Sequence, residues 1–257
     1  MLTRTRWPYP RILAHRGGGA LAPENTLVAL RVGATLGFAG AEIDARLAGC
    51  GTPVLLHDAT VDRTTDESGL VRDLAAEDLR QLDAGVWFGN EYAGERVPTL
   101  EAASALARNQ GQWLNVEIKA EAPDEEEAGA VIAREIARQW RGTSPSPLLS
   151  SFSTLALAGA RAAAPEIPRG LLLEDLPSDW LDLARSLGCS SVHCRQDTID
   201  GHVVQAAHAA GFGILAYTVN ETARALALFE LGVDAIVTDE LREIRADFLT
   251  LYSVGKP

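Results

Sequence analysis

From Pro98 onward the chain alternates between short apolar runs and stretches of helical length, and this rhythm limits the folds open to it more than any other feature. A helix to Arg108 precedes a strand at Trp113 to Ile118, and a helix opened by Asp124-Glu125-Glu126-Glu127 runs to Trp140. Further strand–helix pairs follow: Leu148-Leu149-Ser150 with Thr154 to Ala163, Arg169 to Leu173 with Asp179 to Leu187, and Ser190 to His193 with Asp200 to Ala210. Gly213 to Val219 leads into Thr222 to Leu231, and Ala235 to Thr238 leads into a final helix. The earlier chain supplies the run Arg11 to Ala14, a helix from Pro23-Glu24-Asn25-Thr26 to about Leu36, and a strand from Ala41. That makes about eight βα units with no shift in composition to mark a linker. The expectation is one (β/α)8 barrel spanning residues 1–257. A doubly wound open sheet is the alternative, but Gly17-Gly18-Gly19-Ala20 lacks the GxGxxG spacing of a dinucleotide site.

One stretch breaks the rhythm. Residues from about 58 to 97 are polar and rich in turn formers, with a single short helix near Ala76 to Leu82. They read as an insertion after the second strand region, and long loops inside compact domains tend to be functional.

The formal charge of −12 argues against nucleic acid or an anionic membrane as partner. It permits a small phosphate-bearing substrate, since a local cation cluster or a metal inverts the field at one cleft. Cys50, Cys189 and Cys194 are odd in number and lack CxxC spacing, so they are expected to be reduced, buried thiols. The first ten residues carry basic side chains without an apolar run behind them, and no run approaches a membrane span. A cytoplasmic protein is expected; homo-oligomerisation is left open.

In such a barrel the active site lies at the C-terminal ends of the strands, and the distinctive polar residues fall there. His15-Arg16 end the first strand, Glu42 and Asp44 share one face of the second, His57 ends the apolar run Pro53 to Leu56, and Glu117 and Lys119 share one face of a later strand. Glu42, Asp44 and Glu117 make an all-oxygen set suited to a hard divalent cation, Mg²⁺ or Ca²⁺. His15 and His57 suit proton transfer, because imidazole titrates near neutral pH. Arg16 and Lys119 suit a phosphate. Phe152 and Tyr217 end strands and could wall a glycerol moiety, with core aromatics as the plainer reading. His193 is expected at the same mouth, in substrate contact or structural. His202 and His208 are expected at the surface, Asp58 and Asp62-Arg63 as braces of the insertion, and Glu24 behind His15. The set fits phosphodiester hydrolysis.

Taken in order, His15-Arg16-Gly17, Pro23-Glu24-Asn25-Thr26, Glu42-x-Asp44, His57-Asp58, Asn115-x-Glu117-x-Lys119, Tyr217-Thr218-Val219-Asn220 and Gly232-Val233-Asp234-x-Ile236-x-Thr238-Asp239 resemble the motif series of the glycerophosphodiester phosphodiesterases. Trp7-Pro8-Tyr9-Pro10-Arg11 and Leu148-Leu149-Ser150-Ser151-Phe152 are similar to the short cytosolic bacterial members. The resemblance implies a TIM barrel and metal-dependent hydrolysis of deacylated phospholipids, such as glycerophosphocholine or glycerophosphoethanolamine, to sn-glycerol 3-phosphate and an alcohol. By position it implies His15 and His57 as the acid–base pair, Glu42, Asp44 and Glu117 as metal ligands, and Arg16 and Lys119 as phosphate contacts. It leaves open which histidine is the acid, and whether water or the substrate's own hydroxyl attacks first. A lysophospholipid- or sphingomyelin-directed phosphodiesterase and a non-catalytic phosphoester-binding barrel are the rival readings.

Overall fold

The computed structural model describes residues 7–252. Eight parallel strands form its barrel: β1 (Ile12–Ala14), β2 (Gly40–Leu47), β4 (Trp113–Ile118), β5 (Leu148–Ser151), β6 (Arg169–Leu173), β7 (Ser191–Arg195), β8 (Gly213–Tyr217) and β9 (Ala235–Thr238). β1 pairs with β9 on one side and with β2 on the other, which closes the sheet and excludes the open doubly wound arrangement. The remaining strand, β3 (Pro53–Leu55), runs antiparallel to β2 with Ala45 opposite Leu55. The chain beyond Leu55 therefore turns back along β2, and His57 reaches the mouth from a hairpin rather than from the end of a barrel strand.

Helices α1 (Leu27–Thr35), α3 (Leu100–Asn109), α4 (Glu125–Gln139), α5 (Thr154–Ala163), α6 (Trp180–Ser186), α7 (Gly201–Ala209) and α8 (Thr222–Leu231) form the outer layer, with a last turn at α9 (Phe248–Leu251). Several are started by a side chain placed where the sequence puts a hydroxyl. Thr26, Thr99 and Ser153 each accept a backbone N–H from the residue three further on, a cap worth about 1 kcal/mol. Because parallel strands are covered on both faces, they are apolar outward against the helices and inward at the barrel floor. Leu13, Trp113, Leu148, Leu215, Ala235 and Val237 fill that floor. Tyr9 stacks on Trp113 at 4.4 Å and closes it from below. Among the described residues, no helix is long and apolar enough to cross a membrane. The expectation about residues 1–6 lies outside the described part.

The insertion contains α2 (Ala76–Leu79), shorter than the helix expected to reach Leu82. It has a small core of its own, in which Val61, Val71, Leu79, Ala84 and Val97 pack on Val54 and Leu56. It is pinned to the loop after β1, where the Tyr92 hydroxyl donates to the Leu21 carbonyl at 2.9 Å.

Candidate active site

Strand register builds the centre of the site. In the β2–β4 pair Asp44 lies abreast of Glu117, and Glu42 lies abreast of Asn115, so period two turns Glu42, Asp44 and Glu117 toward one interior space. Oxygens of the three lie within 4.8 Å of one another. All are buried, at 5%, 1% and 9% exposure. Removing an ionised carboxylate from water costs several kcal/mol, so three together require cations. The protein supplies part of that charge. Lys119 Nζ lies 2.5 Å from Glu117 and 3.3 Å from Asp44, and Arg16 Nε lies 3.5 Å from Asp44. The compensation is uneven. Asp44 stays below the ordinary carboxylate range because Lys119 and Arg16 outweigh its burial. Burial and the neighbouring Asp44 push Glu42 up to about 8 and Glu117 up to about 7. Glu42 Oε1 is buried without a hydrogen-bond partner. A buried, under-compensated all-oxygen set of this size fits a hard divalent cation.

Two residues beside these carboxylates were not singled out as site residues from the sequence. Asn25, held at a positive φ of 58°, donates its amide to Asp44 Oδ2 at 2.8 Å and accepts the Asp44 backbone N–H at 2.9 Å. Arg46 donates to the His57 carbonyl at 3.0 Å and fixes the backbone there. The Asn25 signal lay in Pro23-Glu24-Asn25-Thr26, where the helix-start reading accounted for Thr26 alone.

Each histidine leans on a carboxylate. His15 Nδ1 lies 2.6 Å from Asp239 Oδ1, and its Nε2 lies 3.8 Å from Glu42 Oε2. Asp239 is itself held by the Asn220 side-chain NH₂ at 2.9 Å, while its backbone N–H donates to the Asn220 side-chain oxygen Oδ1. Asp239 therefore fills the place expected for Glu24. The chain after His15 passes so close beneath Asp239 that a Cβ on Gly19 would sit 2.3 Å from the Asp239 carbonyl, at a φ of +54°. Only glycine fits that crossing. His57 Nδ1 lies 2.7 Å from Asp58 Oδ1. A carboxylate at Nδ1 selects the tautomer whose proton sits there, so Nε2 carries the lone pair of the neutral ring in both cases.

Glu24 turns instead to the cations. Its carboxylate lies 2.6 Å from Arg16 Nη1 and also receives Arg63. Asp58 does more than brace the insertion: it receives Arg63 on one side and His57 on the other, and both hydrogen bonds hold it well below the carboxylate range. Phe152 and Tyr217 meet edge to face at 5.9 Å, with Phe152 46% exposed and the Tyr217 hydroxyl donating to the Leu173 carbonyl. Beside Lys119 a cavity of about 420 Å³ opens between the β2–β3 hairpin and the start of α4, lined by Arg46, Cys50, Arg72, Glu121 and Asp124 among others.

His193 does not stand at the mouth. β7 runs on to Arg195, and the His193 ring is wholly buried inside the barrel, 3.0 Å from the Ser191 hydroxyl and over Gly170, where a Cβ would meet it at 2.4 Å. Burial drives it down to about 3, so it is neutral. His202 is exposed, as expected, whereas His208 is half-buried and 3.0 Å from Asp234. The acidic start of α4 is largely exposed, and among the described residues the carboxylates whose oxygens converge as a possible metal-ligand set are Glu42, Asp44 and Glu117.

Comparison with known proteins agrees with the barrel fold. A glycerophosphodiester phosphodiesterase of Caldanaerobacter subterraneus subsp. tengcongensis is 33% identical over 233 residues, covering 89% of this chain and 93% of that protein. The structure of an Oleispira antarctica phosphodiesterase in complex with the product sn-glycerol-3-phosphate superimposes with a TM-score of 0.88 at 37% identity, covering 95% of this chain and 97% of the other. A glycerophosphodiester phosphodiesterase of Agrobacterium tumefaciens superimposes with a TM-score of 0.76 at 27% identity, covering 94% and 99%. Residues 15–243, which reach from the first histidine past Asp239, match the glycerophosphoryl diester phosphodiesterase family, and the chain belongs to that family as an enzyme of its class.

Proposed function

We propose that this enzyme hydrolyses deacylated phospholipids, glycerophosphocholine and glycerophosphoethanolamine among them, to sn-glycerol 3-phosphate and the free alcohol. The observation that carries the reading is the convergence of three buried carboxylates, two carboxylate-oriented imidazoles and two cations on one barrel mouth. Glu42, Asp44 and Glu117 would hold Mg²⁺ or Ca²⁺, which would supply positive charge to the phosphate oxygens. Arg16 and Lys119 bind the phosphoryl group, the guanidinium by its fork and the ammonium as a point charge. His15 and His57 carry protons at Nε2, one taking a proton from the attacking oxygen and the other giving one to the leaving alkoxide. Phe152 and Tyr217 wall the glycerol moiety, and the cavity beside Lys119 is of a size to take the headgroup. Cys189 and Cys194 are buried as expected, whereas Cys50 is exposed; three free thiols support a reducing compartment such as the cytoplasm.

The test is release of glycerol 3-phosphate from glycerophosphoethanolamine, read by a coupled dehydrogenase, for protein stripped with EDTA and then given Mg²⁺ or Ca²⁺. Release that returns with either cation is the expected result. No release with either cation, or equal release from the stripped protein, overturns the reading.

A further inference from the structure

We infer that Arg63, a residue of the insertion, is the positioning residue that holds a proton-transfer group and a phosphate-binding group in register through one guanidinium. Its Nε and Nη2 take both oxygens of Asp58, at 2.6 and 3.1 Å, and Asp58 in turn receives His57 Nδ1 at 2.7 Å. Its Nη1 and Nη2 take both oxygens of Glu24, at 2.7 and 2.8 Å, and Glu24 in turn receives Arg16 Nη1 at 2.6 Å. The line His57–Asp58–Arg63–Glu24–Arg16 thus crosses from the hairpin to the loop after β1 with no break. A planar fork with five donors can serve two carboxylates at once, and an ammonium cannot do so with the same geometry.

Stability is a poor explanation for this arrangement. The Arg63 side chain is 44% exposed, and ion pairs so open to water add little to folding. The insertion already has its own apolar core and the Tyr92 tie to Leu21. What Arg63 alone does is fix the direction of two carboxylates whose other faces touch His57 and Arg16. The ring of His57 lies in the field of Asp44, Asp58, Lys119 and Arg16; of these only Asp58 bonds it and sets its tautomer. The inference rests on the roles proposed above for His57 and Arg16.

The experiment compares wild type with Arg63→Met, Arg63→Lys, Asp58→Asn and Glu24→Gln, and with Arg63→Met combined with each of the last two. Turnover of glycerophosphoethanolamine is followed across pH with saturating cation, and the His57 ring is read by ¹⁵N NMR, which needs no turnover. Arg63→Met is expected to lower kcat by about 10–100-fold and to raise KM, as loss of a partner behind an active-site ligand does. Lysine should restore only part of this. Adding Asp58→Asn to Arg63→Met should cost little more than Arg63→Met alone, because both cut the arm that reaches His57. The limb of the kcat/KM profile that Asp58→Asn displaces should move the same way in Arg63→Met, and the His57 ring should lose its single Nδ1–H tautomer. Should Arg63→Met fail to fold, Glu24→Gln and Asp58→Asn remove the same contacts from the other side and must show the same split.

The inference is overturned if Arg63→Met leaves kcat, KM and the tautomer unchanged, if lysine restores all three, or if the losses multiply independently in the double variants. Wild type that releases no glycerol 3-phosphate defeats the reaction proposed above. The ring tautomer still decides the role of Arg63 in that event.

Discussion

The two histidines use the same device in unlike surroundings. His15 is the more enclosed, at 19% side-chain exposure against 34% for His57. Its carboxylate comes from 224 residues away, at the end of the last barrel strand; that of His57 is its immediate neighbour. For both rings burial is the largest influence and lowers proton affinity, yet the outcomes differ. The Asp239 hydrogen bond and the Glu42 charge overcome burial at His15 and raise it. At His57, Asp44 and Asp58 fall short, and Lys119 and Arg16 oppose them, so it is lowered. An acid and a base that work together need affinities pushed apart, and here the push comes first from Asp239, hydrogen-bonded to His15. One centre is built by the barrel and the other by its insertion.

The strongest way to break this comparison is to delete each ring. His15→Ala and His57→Ala should each lower kcat for glycerophosphoethanolamine by about 10²–10⁴-fold, read by glycerol 3-phosphate release. A variant that keeps its rate removes that ring from the chemistry. The next test takes away the orienting groups. Asp239→Asn and Asp58→Asn should each cost about 10–100-fold. Asp239→Asn should cost more, because it also loosens Asn220 and faces the more buried ring. Equal losses would show that burial does not separate the two centres.

A third prediction concerns pH. Glu42 and Glu117, raised from 4.5 to about 8 and about 7, keep their protons in the folded, cation-free protein while the unfolded chain ionises. The folded state then binds more protons, so these residues lose stabilising effect as pH rises from about 4.5 to about 8. A divalent cation reverses this by requiring the ionised forms. The rise in Tm on adding Mg²⁺ or Ca²⁺ should therefore be larger at pH 8 than at pH 6, by calorimetry. The smallest effect is expected away from both rings. Phe152→Ala should remove about 1 kcal/mol of substrate binding, a several-fold rise in KM with kcat nearly kept.

Much of this was legible because it is local. Glu42-x-Asp44 and Glu117-x-Lys119 share faces by period two, and His57-Asp58 are adjacent. The eight barrel strands announced themselves by length and apolar content. What escaped notice lies in pairings that no spacing reveals. Nothing near His15 points to Asp239, and nothing in Asp62-Arg63 points to Glu24. His193 misled because the strand was ended at an imidazole, whereas Arg195 continues it and leaves the ring inside. β3 misled in direction: an apolar run of three residues reads the same whether it joins the barrel or folds back on its neighbour.

The seam where the first and last strands meet also runs through the chemistry. Since β9 delivers Asp239 to His15 just past the end of β1, a chain lacking everything after Val219 would leave its first imidazole unmoored. Competence for turnover should then arrive late, with ring closure, so that shortened translation products are inert and newly cut termini are best borne by loops on the far side of the circle.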